Sequence, residues 1–245
     1  MSGSANAEPV ARKADKMLAR DVMFSPVVTA KPDSSILDVV QLMLDHRISA
    51  VPIVDDTGQL VGLVSEGDLL RRVEIGTQKH RSWWLTAFRG AVSLAEDFVK
   101  SQSMKASEVM TKDVITARED TPLWEIAEIL EKKKFKRVPV VRDGRVVGIV
   151  SRANLLQALT TQKEMPVEAP SVDDREIREA LLEVLRGEKW SDMSHLNVVV
   201  IGGVVHFWGL VASQAQREAL IVAAQAIPGV RDIVDHMLDS TMLND

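Results

Sequence analysis

A block of sequence in the first third of the chain returns, little changed, in the second third. The residues AVPIVDDTGQLVGLVSEGDLL at 50–70 come back as RVPVVRDGRVVGIVSRANLL at 137–156, with Thr57 as the only insertion. The pair Val22-Met23 likewise returns as Val109-Met110. A unit of about 50–60 residues that occurs twice indicates two copies of one supersecondary structure, each needing its neighbour to bury a core.

Both copies predict the same order of elements, strand–helix–strand–strand–helix. In the first copy, a short strand at 27–29 precedes a helix whose apolar residues recur with helical spacing, namely Ile36, Val39, Val40 and Met43. We expect this helix to be capped within 32–34, and its counterpart by Thr121 with Pro122 as the first helical residue. Two β-branched strands follow, and the last helix begins near Ser65 or Ser151.

Two further segments separate and follow the copies. The stretch 71–105 contains apolar and aromatic residues typical of a packed helical insertion, and a basic-aromatic cluster at 79–84. Buried tryptophans beside a solvated basic turn are the preferred interpretation of that cluster, and a nucleic-acid or membrane contact is the alternative. Residues 162–174, with two prolines and little periodicity, predict a linker.

After the linker, the pattern changes to helix–strand–strand–helix–strand. An amphipathic helix is followed by two apolar strands at 196–201 and 204–211, joined by Gly202-Gly203 in a hairpin. Ser213 with Gln216 predicts a capping box for the second helix, and a final strand follows Gly229.

The composition excludes several classes of chemistry. The 245 residues include no cysteine, which rules out disulfides, thiolate metal sites and cysteine nucleophiles. A formal net charge of -5 makes general affinity for nucleic acid unexpected. The N-terminal residues lack the apolar centre of a secretory signal, and no apolar run approaches the roughly 18 residues of a membrane span. We therefore expect a cytoplasmic protein.

The repeated motifs resemble a tandem pair of CBS domains, named after cystathionine β-synthase. The resemblance rests on the VxT strands, the PDxS/EDTP helix starts, VPIVD/VPVVR and GLVSEGDL/GIVSRANL, and covers roughly 20–160. It implies an α/β (α+β) fold, with two β-α-β-β-α repeats in a pseudo-twofold module that usually forms dimers. Such pairs often bind adenine nucleotides or related adenosyl ligands, and they regulate without chemistry of their own.

The last part of the chain resembles a BON domain with an α-β-β-α-β order. VVVIGGVVHFWGLVASQAQREAL and IPGVRDIV carry this resemblance, which implies a phospholipid or protein partner. The expected organisation is a flexible tail (1–16), first repeat (17–75), helical insertion (76–104), second repeat (105–161), linker (162–173) and BON domain (174–240).

A nucleotide site needs a carboxylate for the ribose hydroxyls and polar groups near the phosphates. Asp68 supplies the carboxylate in the first copy, where Ser65 offers a hydroxyl at a helix start. The CBS resemblance assigns ribose contacts to Asp68 and Asn154, positions near phosphate to Ser65 and Ser151, and the adenosine pocket to Thr29 and Thr116. It also assigns phosphate-facing positions to Lys136 and Arg137. Their counterparts in the first copy, Ser49 and Ala50, are uncharged.

The same serine–acid spacing has a simpler explanation, because Ser-x-x-Asp is close to a capping box. The box prefers Glu or Gln at its third position, so Asp68 and Asn154 only mildly favour a ligand. Since Asn154 lacks a charge, we expect unequal sites, with Asp68 the better ribose binder.

No other arrangement in the sequence suggests catalysis. The histidines show no metal-ligand spacing, and no nucleophile–base pair or P-loop is present. The sequence predicts a regulatory protein that binds AMP, ADP, ATP or an adenosyl ligand, with Mg²⁺ as an accessory ion and without a redox cofactor. The alternative is a structural or interaction protein with empty CBS sites whose BON domain docks phospholipid or protein.

Overall fold

The computed structural model describes residues 17–69, 104–164, 172–188, 190–191 and 193–240. The expected tail, nearly all of the expected insertion at 76–104 and the middle of the expected linker lie outside these residues. The basic-aromatic cluster at 79–84 lies outside them as well.

The described helices are α1 (Ala19–Val22), α2 (Ile36–Asp45), α3 (Ala106–Val109), α4 (Leu123–Lys132), α5 (Arg152–Glu164), α6 (Val172–Gly187) and α7 (Gln214–Gln225). The strands are β1 (Ala50–Val54), β2 (Leu60–Ser65), β3 (Ala117–Arg118), β4 (Arg137–Arg142), β5 (Arg145–Ser151), β6 (Leu196–Ile201), β7 (Val204–Val211) and β8 (Asp232–Asp239). Residues 66–69 are also helical, and a 3-10 turn, Met193–His195, precedes β6.

The chain divides into two compact units. The first-repeat unit contains Val28–Ile115 and Asp143–Val146. The second-repeat unit contains Met1–Val27, Thr116–Arg142 and Val147–Asp245, so the C-terminal domain belongs to it. The mixed α/β architecture and the predicted order of elements in the second repeat and the C-terminal domain are confirmed. In the first repeat, the predicted strand at 27–29 is wrong, because only Ala30 pairs there, in a single parallel bridge with Ile53.

The opening segment of each repeat pairs with the sheet of the other repeat. In the first-repeat unit, Leu63 of β2 pairs antiparallel with Thr111, which follows α3. In the second-repeat unit, Ile149 of β5 pairs in the same way with Phe24, which follows α1. Each Val-Met segment therefore lies against the strands of the other sequence copy, not against those of the copy to which it belongs in the sequence.

This exchange explains why Gly62 and Gly148 recur with the two Val-Met pairs. A Cβ atom added at Gly62 would lie 2.3 Å from Sδ of Met110, and one added at Gly148 would lie 2.3 Å from Sδ of Met23. A side chain at either glycine would displace the methionine that covers the strand. The glycine and the methionine therefore form one packing unit in each copy.

We predict that Gly148→Ala lowers the free energy of unfolding by about 1–3 kcal/mol, because Met23 must leave its place in a close-packed core. Thermal denaturation of the full chain measures the loss. Gly187→Ala is the control, since nothing lies within 4 Å of a Cβ at Gly187. Equal melting temperatures for the two variants would contradict this packing.

Helix α2 buries the face that the sequence predicts, with a core that it shares with β1 and β2. Ile36 and Val39 are fully buried and Met43 nearly so, against Val51, Ile53 and Val64 of the two strands. The predicted helix starts are wrong by one residue. Ser35 caps α2 through its hydroxyl, which accepts from the backbone N–H of Asp38 at 3.1 Å, and Pro122 rather than Thr121 precedes α4.

The C-terminal domain is a three-stranded sheet with helices on one face. The β6–β7 hairpin is antiparallel, and β8 joins β7 in parallel. Leu181 and Leu185 of α6 and Leu220 of α7 are fully buried against Phe207 of the sheet. The predicted cap of α7 is confirmed, because the hydroxyl of Ser213 accepts from the N–H of Gln216 at 3.2 Å.

The other face of this sheet packs on the second repeat. Val199, Ile201 and Trp208 belong to the same apolar cluster as Val22 and Ala158. The two domains inside the second-repeat unit therefore share a core.

Among the residues that the structure describes, none of the helices combines the length and apolar character needed to cross a membrane.

Candidate functional site

The serine and aspartate of the first copy form a reciprocal cap. Ser65 ends β2, and its backbone N–H and its hydroxyl donate to Oδ2 of Asp68 at 2.9 and 2.6 Å. The N–H of Asp68 in turn points at the hydroxyl oxygen of Ser65, 3.4 Å away. The capping interpretation of Ser-x-x-Asp therefore holds, and the question is what else the carboxylate can do.

A third residue completes this cluster. The hydroxyl of Thr111 donates to Oδ1 of Asp68 at 2.9 Å. Thr111 reaches it because its backbone and that of Leu63 exchange two hydrogen bonds of 2.9 Å across the strand pair. We call Ser65, Asp68 and Thr111 the Asp68 cluster.

Sequence reasoning missed Thr111, although a signal was present. Aligning the two Val-Met pairs places Thr111 opposite Phe24, so that one copy has a hydroxyl where the other has an aromatic ring. The importance of that difference depends on the exchange of opening segments, which the structure provides.

The Asp68 carboxylate retains capacity for a further donor. An ionised carboxylate offers about four lone-pair positions, and among the residues that the structure describes, Ser65 and Thr111 fill three of them. The side chain is half-buried. Because the Thr111 hydroxyl can rotate, a ligand diol could use the open position and then share or replace the contact of Thr111.

The second copy has the same cap but a different environment. The N–H and the hydroxyl of Ser151 donate to Oδ1 of Asn154 at 2.8 and 2.7 Å. These two bonds fill the acceptor positions of the amide oxygen, and Nδ2 donates to Oε1 of Gln157 at 3.2 Å. Asn154 is only 5% exposed. The two copies are therefore unequal in charge, exposure and acceptor capacity.

The remaining predicted site residues lie on neighbouring strands. Thr29 directly precedes Ala30, which pairs with Ile53 of β1, so Thr29 is two strands from Ser65, or roughly 10 Å across the sheet. Thr116 holds the equivalent position before β3 in the other unit.

The basic pair of the second copy lies close to the start of α5. The backbone carbonyl of Lys136 accepts from the N–H of Arg152 at 3.3 Å, as that of Ser49 accepts from Glu66 at 3.1 Å in the first copy. Lys136 is exposed and Arg137 half-buried. The structure thus brings Lys136 near Ser151 and Asn154, within one repeat.

Comparison with protein-family models gives three matches. Residues 19–75 and 106–161 each match the CBS domain, and residues 173–238 match the BON domain. Both resemblances found in the sequence are confirmed.

Individual relatives match the CBS part of the chain. Uncharacterized protein MJ1426 of Methanocaldococcus jannaschii is 31% identical over 155 residues, which cover 58% of this chain and 91% of that protein. The crystal structure of the CBS domain of a CBS domain containing membrane protein from Sphaerobacter thermophilus is 34% identical, with a TM-score of 0.51, and the match covers 60% of this chain and 91% of that one.

A third relative is the chloroplastic CBS domain-containing protein CBSX2 of Arabidopsis thaliana. It is 30% identical over 134 residues, which span 52% of this chain and 56% of that protein. CBSX2 has been crystallised in complex with AMP, and that structure matches 60% of this chain and 98% of the crystallised one at 27% identity with a TM-score of 0.47.

Proposed function

Because this chain belongs to the CBS-domain proteins and carries a BON domain after its CBS pair, we propose that it is a regulatory protein without catalytic activity. It binds an adenine nucleotide or a related adenosyl ligand through the Asp68 cluster. The BON domain passes the state of the CBS pair to a partner.

The observation that supports this proposal is the environment of the Asp68 carboxylate. The group is a half-buried carboxylate held in place by Ser65 and Thr111, and one of its acceptor positions receives no hydrogen bond from the described part of the chain. The vicinal hydroxyls of a ribose are two neighbouring donors, which a carboxylate can accept together. Hydrogen bonds to a charged group contribute about 1.5–3 kcal/mol each. A fixed carboxylate therefore selects for a ribose.

The other predicted residues complete the proposed sites. Thr29, two strands away, lines the adenosine pocket of the first repeat, and Ser65 lies near the phosphates. Thr116, Ser151 and Asn154 hold the equivalent positions in the second repeat, where Lys136 and Arg137 add positive charge. Mg²⁺ would enter with the phosphates of ADP or ATP.

Regulation requires that the ligand prefer one packing of the chain over another. We propose a cytoplasmic homodimer whose packing depends on the ligand, with phospholipid or a protein as the BON partner. Light scattering of the full chain with and without ATP tests the dimer.

We predict that AMP, ADP or ATP at millimolar concentration raises the melting temperature of the full chain. A ligand that binds only the folded state stabilises it by about 2.7 kcal/mol at 100 times its dissociation constant, or about 5–10 °C for a chain of this length. The screen includes S-adenosylmethionine and is run with and without Mg²⁺. The absence of a shift with every adenosyl compound would contradict the proposal.

A second candidate is an interaction protein whose CBS sites stay empty. It is favoured by the observation that Asp68 and Asn154 are each already bound by the preceding serine in a helix cap. Co-sedimentation of the full chain with anionic liposomes, in the absence of any thermal shift, would support this candidate over nucleotide binding.

A further inference from the structure

Asn197 of β6 is a buried polar residue on the sheet face that packs against the second repeat. The residue is only 5% exposed. Nδ2 donates to the backbone carbonyl of Val22 at 3.2 Å and to Oε1 of Gln157 at 2.8 Å. Its own Oδ1 accepts from the N–H of Val198 at 3.0 Å. The amide of Asn197 therefore links the BON sheet to α5 and to Val22, the last residue of α1.

Gln157 connects Asn197 to Asn154. It lies on α5 three residues after Asn154, and its Oε1 accepts from Nδ2 of both asparagines, at 3.2 and 2.8 Å. Two donors fill the acceptor positions of an amide oxygen. We call Asn154, Gln157 and Asn197 the amide chain.

The amide chain runs beside an apolar cluster shared by the two domains. Ala158 of α5 packs in this cluster with Val199 and Ile201 of β6, and all three are at most 3% exposed. Hydrogen bonds next to such a core are poorly replaced by water, so breaking one is costly.

Charged contacts hold the same two domains together. The guanidinium of Arg175 on α6 binds the carboxylate of Asp21, whose side chain is 1% exposed, at 2.7 Å. Arg178, one turn further along, donates to the carbonyl of Met23 at 2.6 Å. The BON domain is thus fixed to the second repeat by contacts on both α6 and β6. We call these contacts, namely the amide chain and the bonds of Arg175 and Arg178, the joint.

We propose that this joint closes the second nucleotide position, so that the chain binds one nucleotide, at Asp68, and Asn154 serves as a link to the BON domain. The inference rests on the proposed function for its count of ligands. A ribose at Asn154 would have to displace Ser151 from a saturated amide oxygen that is 5% exposed. The equivalent position in the first repeat presents a half-buried carboxylate with an acceptor free.

The closed position explains how two unequal copies can serve different purposes. The first copy senses the ligand, while the second carries the output domain through hydrogen bonds that use the ligand position of its fold. Any ligand effect on the BON domain then starts at Asp68.

Calorimetric titration of the full chain with AMP, and separately with ATP, counts the sites. We expect one nucleotide per chain, binding about 10- to 100-fold weaker in Asp68→Ala, and one unchanged site in Asn154→Ala. Two nucleotides per chain, or a site that keeps its affinity in Asp68→Ala and is lost in the double variant Asp68→Ala/Asn154→Ala, would overturn the closed position while leaving nucleotide binding intact.

If neither nucleotide binds the wild-type chain, the proposed function fails and the joint is judged by stability alone. Gln157→Ala and Asn197→Ala should each lower the melting temperature by about 2–6 °C. The melting temperature of the double variant should fall by less than the sum of the two single shifts. Both substitutions remove the same hydrogen bond, the one between Asn197 and Gln157. Strictly additive shifts would overturn the joint, and Asn197→Ser replaces Asn197→Ala if the latter does not fold.

Gln41→Ala provides the matched control for this cycle. Gln41 donates to Asp45 on the exposed side of α2 in the first-repeat unit. Combined with Gln157→Ala it should give additive shifts, since the two glutamines share no partner.

Discussion

Arg178→Ala is expected to lower the free energy of unfolding of the full chain by about 3–5 kcal/mol. Arg178 is 5% exposed, and it donates to the carbonyls of Val198 and Met23 at 2.8 and 2.6 Å. Burial lowers the pKa of its guanidinium to about 10, so the group is still charged at neutral pH. Alanine would leave both carbonyls without this donor and would open a cavity in the joint.

Thermal denaturation measures this loss as a fall in melting temperature on the order of 10 °C. Arg186→Ala is the control from the same helix, because Arg186 is exposed and pairs with Glu183 at the surface. An exposed ion pair contributes about 0–1 kcal/mol. A loss below 1 kcal/mol for Arg178→Ala would show that the two domains do not depend on this residue.

Asp68→Ala is expected to weaken nucleotide binding about 10- to 100-fold, which corresponds to one or more hydrogen bonds to a charged group. The substitution removes the only charged member of the Asp68 cluster. It also removes half of a helix cap, which costs about 0.5–2 kcal/mol of stability. The affinity must therefore be measured by calorimetry at a temperature at which the variant is folded.

Two variants serve as controls. Asn154→Ala removes an equivalent cap, since Oδ1 of Asn154 accepts from Ser151. Asp38→Ala, in contrast, removes an exposed carboxylate and leaves the cap intact, since only the backbone N–H of Asp38 binds Ser35. Asp38 stands three residues after Ser35, with the same spacing as Asp68 after Ser65, but it is exposed on α2. Asp38→Ala and Asn154→Ala should both leave the affinity unchanged. Equal losses for Asp38→Ala and Asp68→Ala, or a larger loss for Asn154→Ala, would contradict the assignment to Asp68.

Periodicity predicts most of the architecture, because both repeats bury regular apolar faces. The duplicated blocks identify the paired strands, and the C-terminal hairpin and its helices fall where apolar runs and turn residues place them. The exchange of opening segments is different. Both Val-Met segments suit both sheets, so only the three-dimensional packing of Met23 on Gly148 and Met110 on Gly62 decides between them.

The burial of the BON sheet on both faces could in part have been predicted from the sequence. All six residues of β6 are buried, and LNVVVI is an apolar run interrupted only by Asn197. Continuous rather than alternating apolar character is typical of a strand covered on both faces. The polar residue in such a run then needs buried partners, which Gln157 and Val22 supply.

The serine–acid pairs show why a short motif cannot settle a function. Local spacing predicts the cap in both copies, and both caps form. Whether Asp68 has an acceptor position to spare depends on Thr111, which is distant in sequence. In the second copy, Nδ2 of Asn154 donates to Gln157, which in turn accepts from Asn197, a residue distant in sequence. The predicted difference between the two copies thus rests on more than the charge that distinguishes Asp68 from Asn154.

A crystal structure of the full chain grown with AMP tests nucleotide binding at Asp68 most directly. The account predicts both ribose hydroxyls within hydrogen-bond distance, about 2.5–3.0 Å, of the Asp68 carboxylate oxygens, with no nucleotide at Asn154. A ribose bound away from Asp68, or an empty Asp68 cluster at millimolar AMP, would contradict it.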